Sequence, residues 1–112
     1  MSTIRADPER LRQAARSIFA AAGCNAEEAR LVGDHLVDAN LVGHDSHGVI
    51  RIAKYIDWQK RGMVLPNRVP KTLRDRGVLL MVDGQFGYGQ SIARVALSAA
   101  IERAKAEGVA LL

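Results

Sequence analysis

The chain has 112 residues, of which 48% are apolar, 25% charged and only 4% aromatic, and it carries a formal net charge of +4. That balance excludes a disordered chain and suffices for one modest hydrophobic core. Much of the apolar content is alanine, which favours close-packed helices over a sheet sandwich. The basic residues are interrupted by acidic ones, so they form a solvated face rather than a continuous nucleic-acid stripe.

Asp7-Pro8 predicts a helix start: Asp7 can accept from free first-turn amides, and proline at the first helical position lacks only an amide that has no partner there. Leu11, Ala14, Ala15, Ile18, Phe19 and Ala22 then recur at helical spacing, and Gly23 supplies a left-handed stop. Asn25, followed three residues later by Glu28, resembles a capping box. From it a second helix runs to near Gly43 with Ala29, Leu31, Val32, Leu36 and Ala39 inward. A third helix is expected over roughly 47–60, capped by Ser46, with Val49, Ile52, Ala53 and Ile56 as its apolar face. On that helix His47, Arg51 and Tyr55 are each four residues from the next and form one polar ridge with Ser46 at its head.

Gly62 and Pro66 end the helical region, and a short extended piece is expected near Arg68-Val69. The run Val78-Leu79-Leu80-Met81-Val82 predicts a strand ended by Asp83-Gly84. A loop bearing Gly84, Gly87 and Gly89 leads into a helix from Gln90 to Glu107, with Ile92, Val95, Ala96, Ala99, Ala100 and Ile101 apolar. Gly108 stops it, and Val109 opens another strand. The expected fold class is therefore mixed α/β: a mainly helical unit over 1–65, then the beginning of an α/β domain over 66–112. A strand-helix-strand unit needs a neighbouring sheet and a covered second face, so a truncated chain, or one dependent on another copy, is expected.

The stretch Gly43-His44-Asp45-Ser46-His47-Gly48-Val49-Ile50-Arg51, with Tyr55 beyond, concentrates the reactive chemistry. Read plainly, Ser46 caps a helix, His44 and His47 are surface residues, and Arg51 pairs with Asp45 or another acid. Read as a site, the planar fork of Arg51 suits a carboxylate, and His47 can exchange a hydrogen bond with a carbonyl or hydroxyl oxygen. That pairing fits a 2-oxo or 2-hydroxy acid. Metal binding is not expected, because consecutive residues at a helix start do not all point inward and His35 belongs to the preceding helix. Ser46 lacks the glycine frame of a nucleophile elbow. The loop at 84–90 follows a strand and precedes a helix, yet its glycine spacing is not G-x-G-x-x-G. It is either a structural turn or ligand-contacting backbone. Arg16 to Gly23 faintly resembles the first helix of tetracycline-repressor-type regulators, but no recognition helix follows.

The set Gly43-His44-Asp45-Ser46-His47-Gly48-Val49 with Arg51 and Tyr55 resembles the signature of the malate/L-lactate dehydrogenase-like oxidoreductases, distinct from the standard Rossmann malate and lactate dehydrogenases. The resemblance extends over Leu36 to Leu41, the Gly62 and Pro66 region, Val82 to Gln90, and Ala104 to Val109. It implies NAD- or NADP-dependent interconversion of a small 2-hydroxy acid and a 2-oxo acid, or a related imine reduction. Ser46, His47, Arg51 and Tyr55 would bind and orient a small carboxylate substrate, with Arg51 the carboxylate clamp and His47 catalytic. Gly84, Gly87 and Gly89 would contact the cofactor. Family members carry a second histidine shortly after the strand that begins at Val109, as preferred acid/base; this sequence ends before that position. The expectation is an N-terminal part of such an enzyme, inactive by itself, homodimeric in the full-length protein, with no nucleic-acid or membrane partner. A noncatalytic structural or interaction remnant of the family is the alternative, and a DNA-binding regulator a weaker one. The single cysteine, Cys24, allows no internal disulfide, and no secretory pattern opens the chain, so a cytoplasmic location is expected.

Overall fold

A computed structural model describes residues 3–112. They fall into two compact units, one ending at Pro66 and one running from Asn67 to Leu112.

The first unit is helical. Helix α1 (Pro8–Ala21) starts where Asp7 accepts a hydrogen bond from the Arg10 amide at 2.9 Å, and Gly23 follows it with φ +105°. Helix α2 (Ala26–Leu41) is capped by Asn25, whose side chain accepts from the Glu28 amide at 2.9 Å. The two helices pack closely because Gly33 faces α1: a Cβ there would lie 3.0 Å from the Arg16 backbone nitrogen. Around this contact Ala15, Phe19, Ala29, Val32, Leu36 and Val37 are buried. Arg16 grips the Asp34 carboxylate with two bonds of 2.6 and 2.8 Å, and Arg12 reaches Asp38 at 2.6 Å. The buried stripe is narrower than the periodicity suggests. Ala14 is exposed and Ile18 is 41% exposed, while Ala39 and Leu31 are only half-buried. Packing selects Ala15 and Phe19, one turn apart, for the face turned to α2.

The expected helix over 47–60 is a correction. Helix α3 spans only Ile52–Lys60, and before it come two short 3-10 turns, Asp45–His47 and Val49–Arg51. Between them Gly48 is extended, with φ −88° and ψ −154°. The side chain of Ser46 caps neither the turn nor α3. A helix cannot pass through an extended residue, so His47, Arg51 and Tyr55 do not lie on one continuous ridge. The side chain of Gln59, on α3, donates to the Ala22 carbonyl beyond α1.

The second unit is mixed. Strands β1 (Lys71–Arg76) and β2 (Leu79–Asp83) pair antiparallel from Lys71↔Asp83 to Arg76↔Leu79, with an irregularity between Thr72 and Arg74. Gly77 makes their turn with φ +56°. No strand forms at Arg68-Val69, the expected extended piece; the pairing strand is Lys71–Arg76, where every residue is exposed. Helix α4 (Gly89–Glu107) buries Ala96 and Ala100, while Val95 and Ile101 are about half exposed. Gly108 closes it in the left-handed conformation, φ +83°. The chain then returns beside β2. The Leu80 amide donates to the Leu111 carbonyl and the Leu111 amide to the Val78 carbonyl, both at 2.8 Å, which makes a parallel bridge Leu79↔Leu111. The strand expected to open at Val109 is present among the described residues only as this isolated bridge at Leu111. Arg103 fastens α4 to the hairpin through the Asp75 carboxylate at 2.5 Å and the Gly77 carbonyl at 2.6 Å.

Candidate functional site

The polar cluster lies where α2 gives way to α3. Helix α2 ends with Gly43 at φ +80°, and the His44 amide closes back on the Ala39 carbonyl at 2.7 Å. The next residues turn sharply: the His47 amide donates to the His44 carbonyl, the Gly48 amide to Asp45 and the Arg51 amide to Gly48, at 2.9 to 3.0 Å. These tight turns present the side chains of His44, Ser46 and His47 to solvent.

Three of the four expected substrate residues come together. Ser46 Oγ lies 3.0 Å from His47 Nδ1. Arg51 Nε donates to the Ser46 carbonyl at 2.7 Å. That bond uses the inner nitrogen of a half-buried guanidinium and leaves its two terminal nitrogens without an acidic partner among the described residues. No ion pair between Arg51 and Asp45 forms among the described residues; the Asp45 carboxylate accepts from Asn40 Nδ2 at 2.7 Å instead. The result is a fixed cation with its outer edge free, next to a hydroxyl–imidazole pair. His44 meets His47 edge to face, with ring centroids 4.7 Å apart.

Tyr55 is placed differently. It is half-buried on α3, its ring stacked on Trp58 at 5.8 Å and tilted against Phe19 of α1 at 6.4 Å. Packing between α1 and α3 accounts for an aromatic residue there.

Asn40 escaped sequence reasoning. Besides holding Asp45, it accepts the Val49 amide on Oδ1 at 2.8 Å. Its spacing carries the signal: it lies three residues after Val37 and four after Leu36, in the apolar stripe of α2, where a polar side chain needs a partner.

The glycine loop is in the second unit and is a tight turn. Gln85 and Phe86 hold φ +52° and +59°, and the Gly87 amide donates to the Gly84 carbonyl at 2.9 Å. Positive φ therefore falls on the two non-glycine residues. Gly84 and Gly87 are needed for proximity instead: a Cβ on Gly84 would lie 3.1 Å from Ile92, and one on Gly87 2.9 Å from both Ile92 and Arg68. Gly89 alone faces open space, at the first turn of α4, where no side chain caps the helix. Of the three, only Gly89 leaves room for a bound group to approach the backbone.

Residues 6–112 match the model of the malate/L-lactate dehydrogenase family. The chain belongs to that family. Hydroxycarboxylate dehydrogenase B of Escherichia coli is 37% identical to it over 106 residues, which is 95% of this chain and 29% of that protein. L-sulfolactate dehydrogenase of Methanocaldococcus jannaschii is 34% identical over 90 residues, 80% of this chain and 26% of that protein. The solved malate dehydrogenase of Pyrococcus horikoshii superposes with a TM-score of 0.88 at 32% identity, over 94% of this chain and 30% of that one. This family member therefore spans about 30% of the length of the proteins it matches.

Proposed function

We propose that this chain supplies the substrate-carboxylate wall of a nicotinamide-dependent dehydrogenase that interconverts a small 2-hydroxy acid and its 2-oxo acid. The observation that carries the reading is Arg51: pinned through Nε to the Ser46 carbonyl, next to the Ser46–His47 pair, it keeps its two terminal nitrogens without an acidic partner among the described residues. A carboxylate can take both terminal N–H groups at once, which fixes the rest of a small acid relative to the imidazole. The dehydrogenase names of the relatives support a hydroxy acid as the partner.

Proton movement follows from the Ser46–His47 contact. With Nδ1–H donating to Ser46 Oγ, the imidazolium form of His47 can give its Nε2 proton to the C2 oxygen of a 2-oxo acid and is left neutral. In the reverse direction the same neutral tautomer, Nδ1–H still on Ser46 Oγ, takes the proton from a 2-hydroxy acid at Nε2. The serine hydroxyl accepts from Nδ1–H in both directions and so keeps Nε2 as the reacting nitrogen. NAD or NADP, when bound, supplies or accepts the hydride at C2; Gly89 is the candidate contact retained from the glycine loop. Tyr55 would border the substrate from α3. No helix among the described residues is long and apolar enough to cross a membrane; a cytoplasmic homodimer is the setting we propose for the complete enzyme.

The test is a chimera in which residues 6–112 replace the matching segment of the Escherichia coli relative, assayed with NADH and NADPH against a panel of 2-oxo acids. Reduction is expected, with kcat/KM about 100-fold lower in Arg51→Ala, the order of a lost charge-assisted pair. A folded chimera whose activity ignores Arg51→Ala contradicts the assignment. The 112 residues alone are expected to show no turnover.

A further inference from the structure

We propose that Asn40 is a positioning residue that sets the geometry of the Ser46–His47 pair; the functional weight of this rests on the substrate-site reading above. Its side-chain amide makes two bonds of opposite sense, Nδ2 to the Asp45 carboxylate at 2.7 Å and Oδ1 from the Val49 amide at 2.8 Å. These anchor points bracket Ser46-His47-Gly48. Hydrophobic contact gives residues 43–47 little hold, because all five are exposed. Gly48 completes the clamp: it lies so close that a Cβ would come within 2.5 Å of Asn40 Nδ2, and closer still to Oδ1. The clamp needs one donor and one acceptor on a short side chain at the end of α2, which an asparagine provides and an aspartate, alanine or leucine does not. With the turn held at both ends, the Ser46 carbonyl stays where Arg51 Nε reaches it, and His47 stays within reach of Ser46 Oγ.

The test uses the full 112-residue chain and three variants: Asn40→Asp, Asp45→Asn, and the two combined. Asn40→Asp sets two carboxylates against each other. The combined swap restores both contacts, with the donor now at position 45 and the acceptor at position 40. Two readouts are taken: the ring-nitrogen NMR shifts of His47, which report its tautomer and its bond to Ser46, and the dissociation constant for pyruvate. We expect Asn40→Asp to move the His47 ring shifts and weaken pyruvate binding about tenfold, the size of one lost charge-assisted bond. The swap should return both to within about twofold of the parent. Helix content that is unchanged, with His47 shifts also unchanged in Asn40→Asp, overturns the proposal, as does a folded swap that fails to restore them. If Asn40→Asp does not fold, the swap and the hydrogen exchange of the parent's Val49 amide decide: slow exchange supports the clamp, and exchange as fast as in an open loop refutes it. Absence of pyruvate binding in the parent contradicts the substrate reading, while the ring shifts still judge Asn40.

Discussion

Gly48→Ala separates close approach from backbone freedom. Gly48 has φ −88° and ψ −154°, a conformation that alanine adopts without strain, so chain entropy alone would make the variant more stable by about 0.4–1 kcal/mol. The opposing effect is steric. The new methyl would overlap the terminal atoms of Asn40, which must swing away and give up its bonds to Asp45 and to the Val49 amide. Each is worth about 1 kcal/mol net, and the part-buried amide is left without its acceptor, which brings the loss to about 2–3 kcal/mol. The balance is a destabilisation of about 1–2 kcal/mol. For a unit of this size that is a fall in Tm of about 5–15 °C, read by far-UV circular dichroism. Gly43→Ala serves as the control, since its φ is +80° and nothing lies within 4 Å of a Cβ there; it should lose about 1 kcal/mol through strain alone and leave Asn40 in place. A Gly48→Ala chain as stable as the parent, or more so, would refute the reasoning.

Burial and the neighbouring Glu28 push the Cys24 thiol up to about 12, so at neutral pH it should react with a thiol reagent only when the chain unfolds; rapid stoichiometric labelling of the folded chain would contradict this. Arg103 holds the Asp75 carboxyl below its ordinary value. The unfolded state therefore binds the proton more readily, and the contribution of this pair is present above the unfolded pKa near ~4 and is lost as pH falls through the lower folded value. Proton titration of Asp75 by NMR should show the depressed midpoint, and Arg103→Met should return it to the ordinary range. Phe86 is 77% exposed and held at φ +59°. Phe86→Gly should thus gain about 0.5 kcal/mol, strain relief exceeding added chain entropy, seen as a higher urea midpoint; a loss above about 1 kcal/mol would show that the ring is packed.

How much was legible in the sequence varies with the physics of each segment. The caps at Asp7, Asn25 and Gly108 were readable because their chemistry is local: an oxygen acceptor for free amides, or a residue free to adopt positive φ. The strand at Val78–Val82 and the helix after the glycine loop were readable from apolar runs. Strand β1 was hidden, since Lys71-Thr72-Leu73-Arg74-Asp75-Arg76 is exposed throughout and has no alternating apolar face to reveal it. The third helix was overextended for a different reason. Spacing of four residues between His47, Arg51 and Tyr55 fits a helix, but the Asn40 side chain captures the Val49 amide and Gly48 is extended. A long-range side-chain contact overrode a local pattern. Arg51 still meets Ser46, through its backbone carbonyl rather than along a helix face. In the glycine loop, spacing alone did not distinguish glycines that pack from those that face open space; the Ile92 contacts of Gly84 and Gly87 do.

The most direct test of the central claim is an NMR titration of the 112-residue chain with pyruvate, in the parent and in Arg51→Gln. The account predicts saturable shifts concentrated at Ser46, His47 and Arg51, with a dissociation constant on the order of millimolar, and their loss in Arg51→Gln. Shifts that spread over the exposed basic strand at Lys71, Arg74 and Arg76, and persist unchanged in Arg51→Gln, would contradict it.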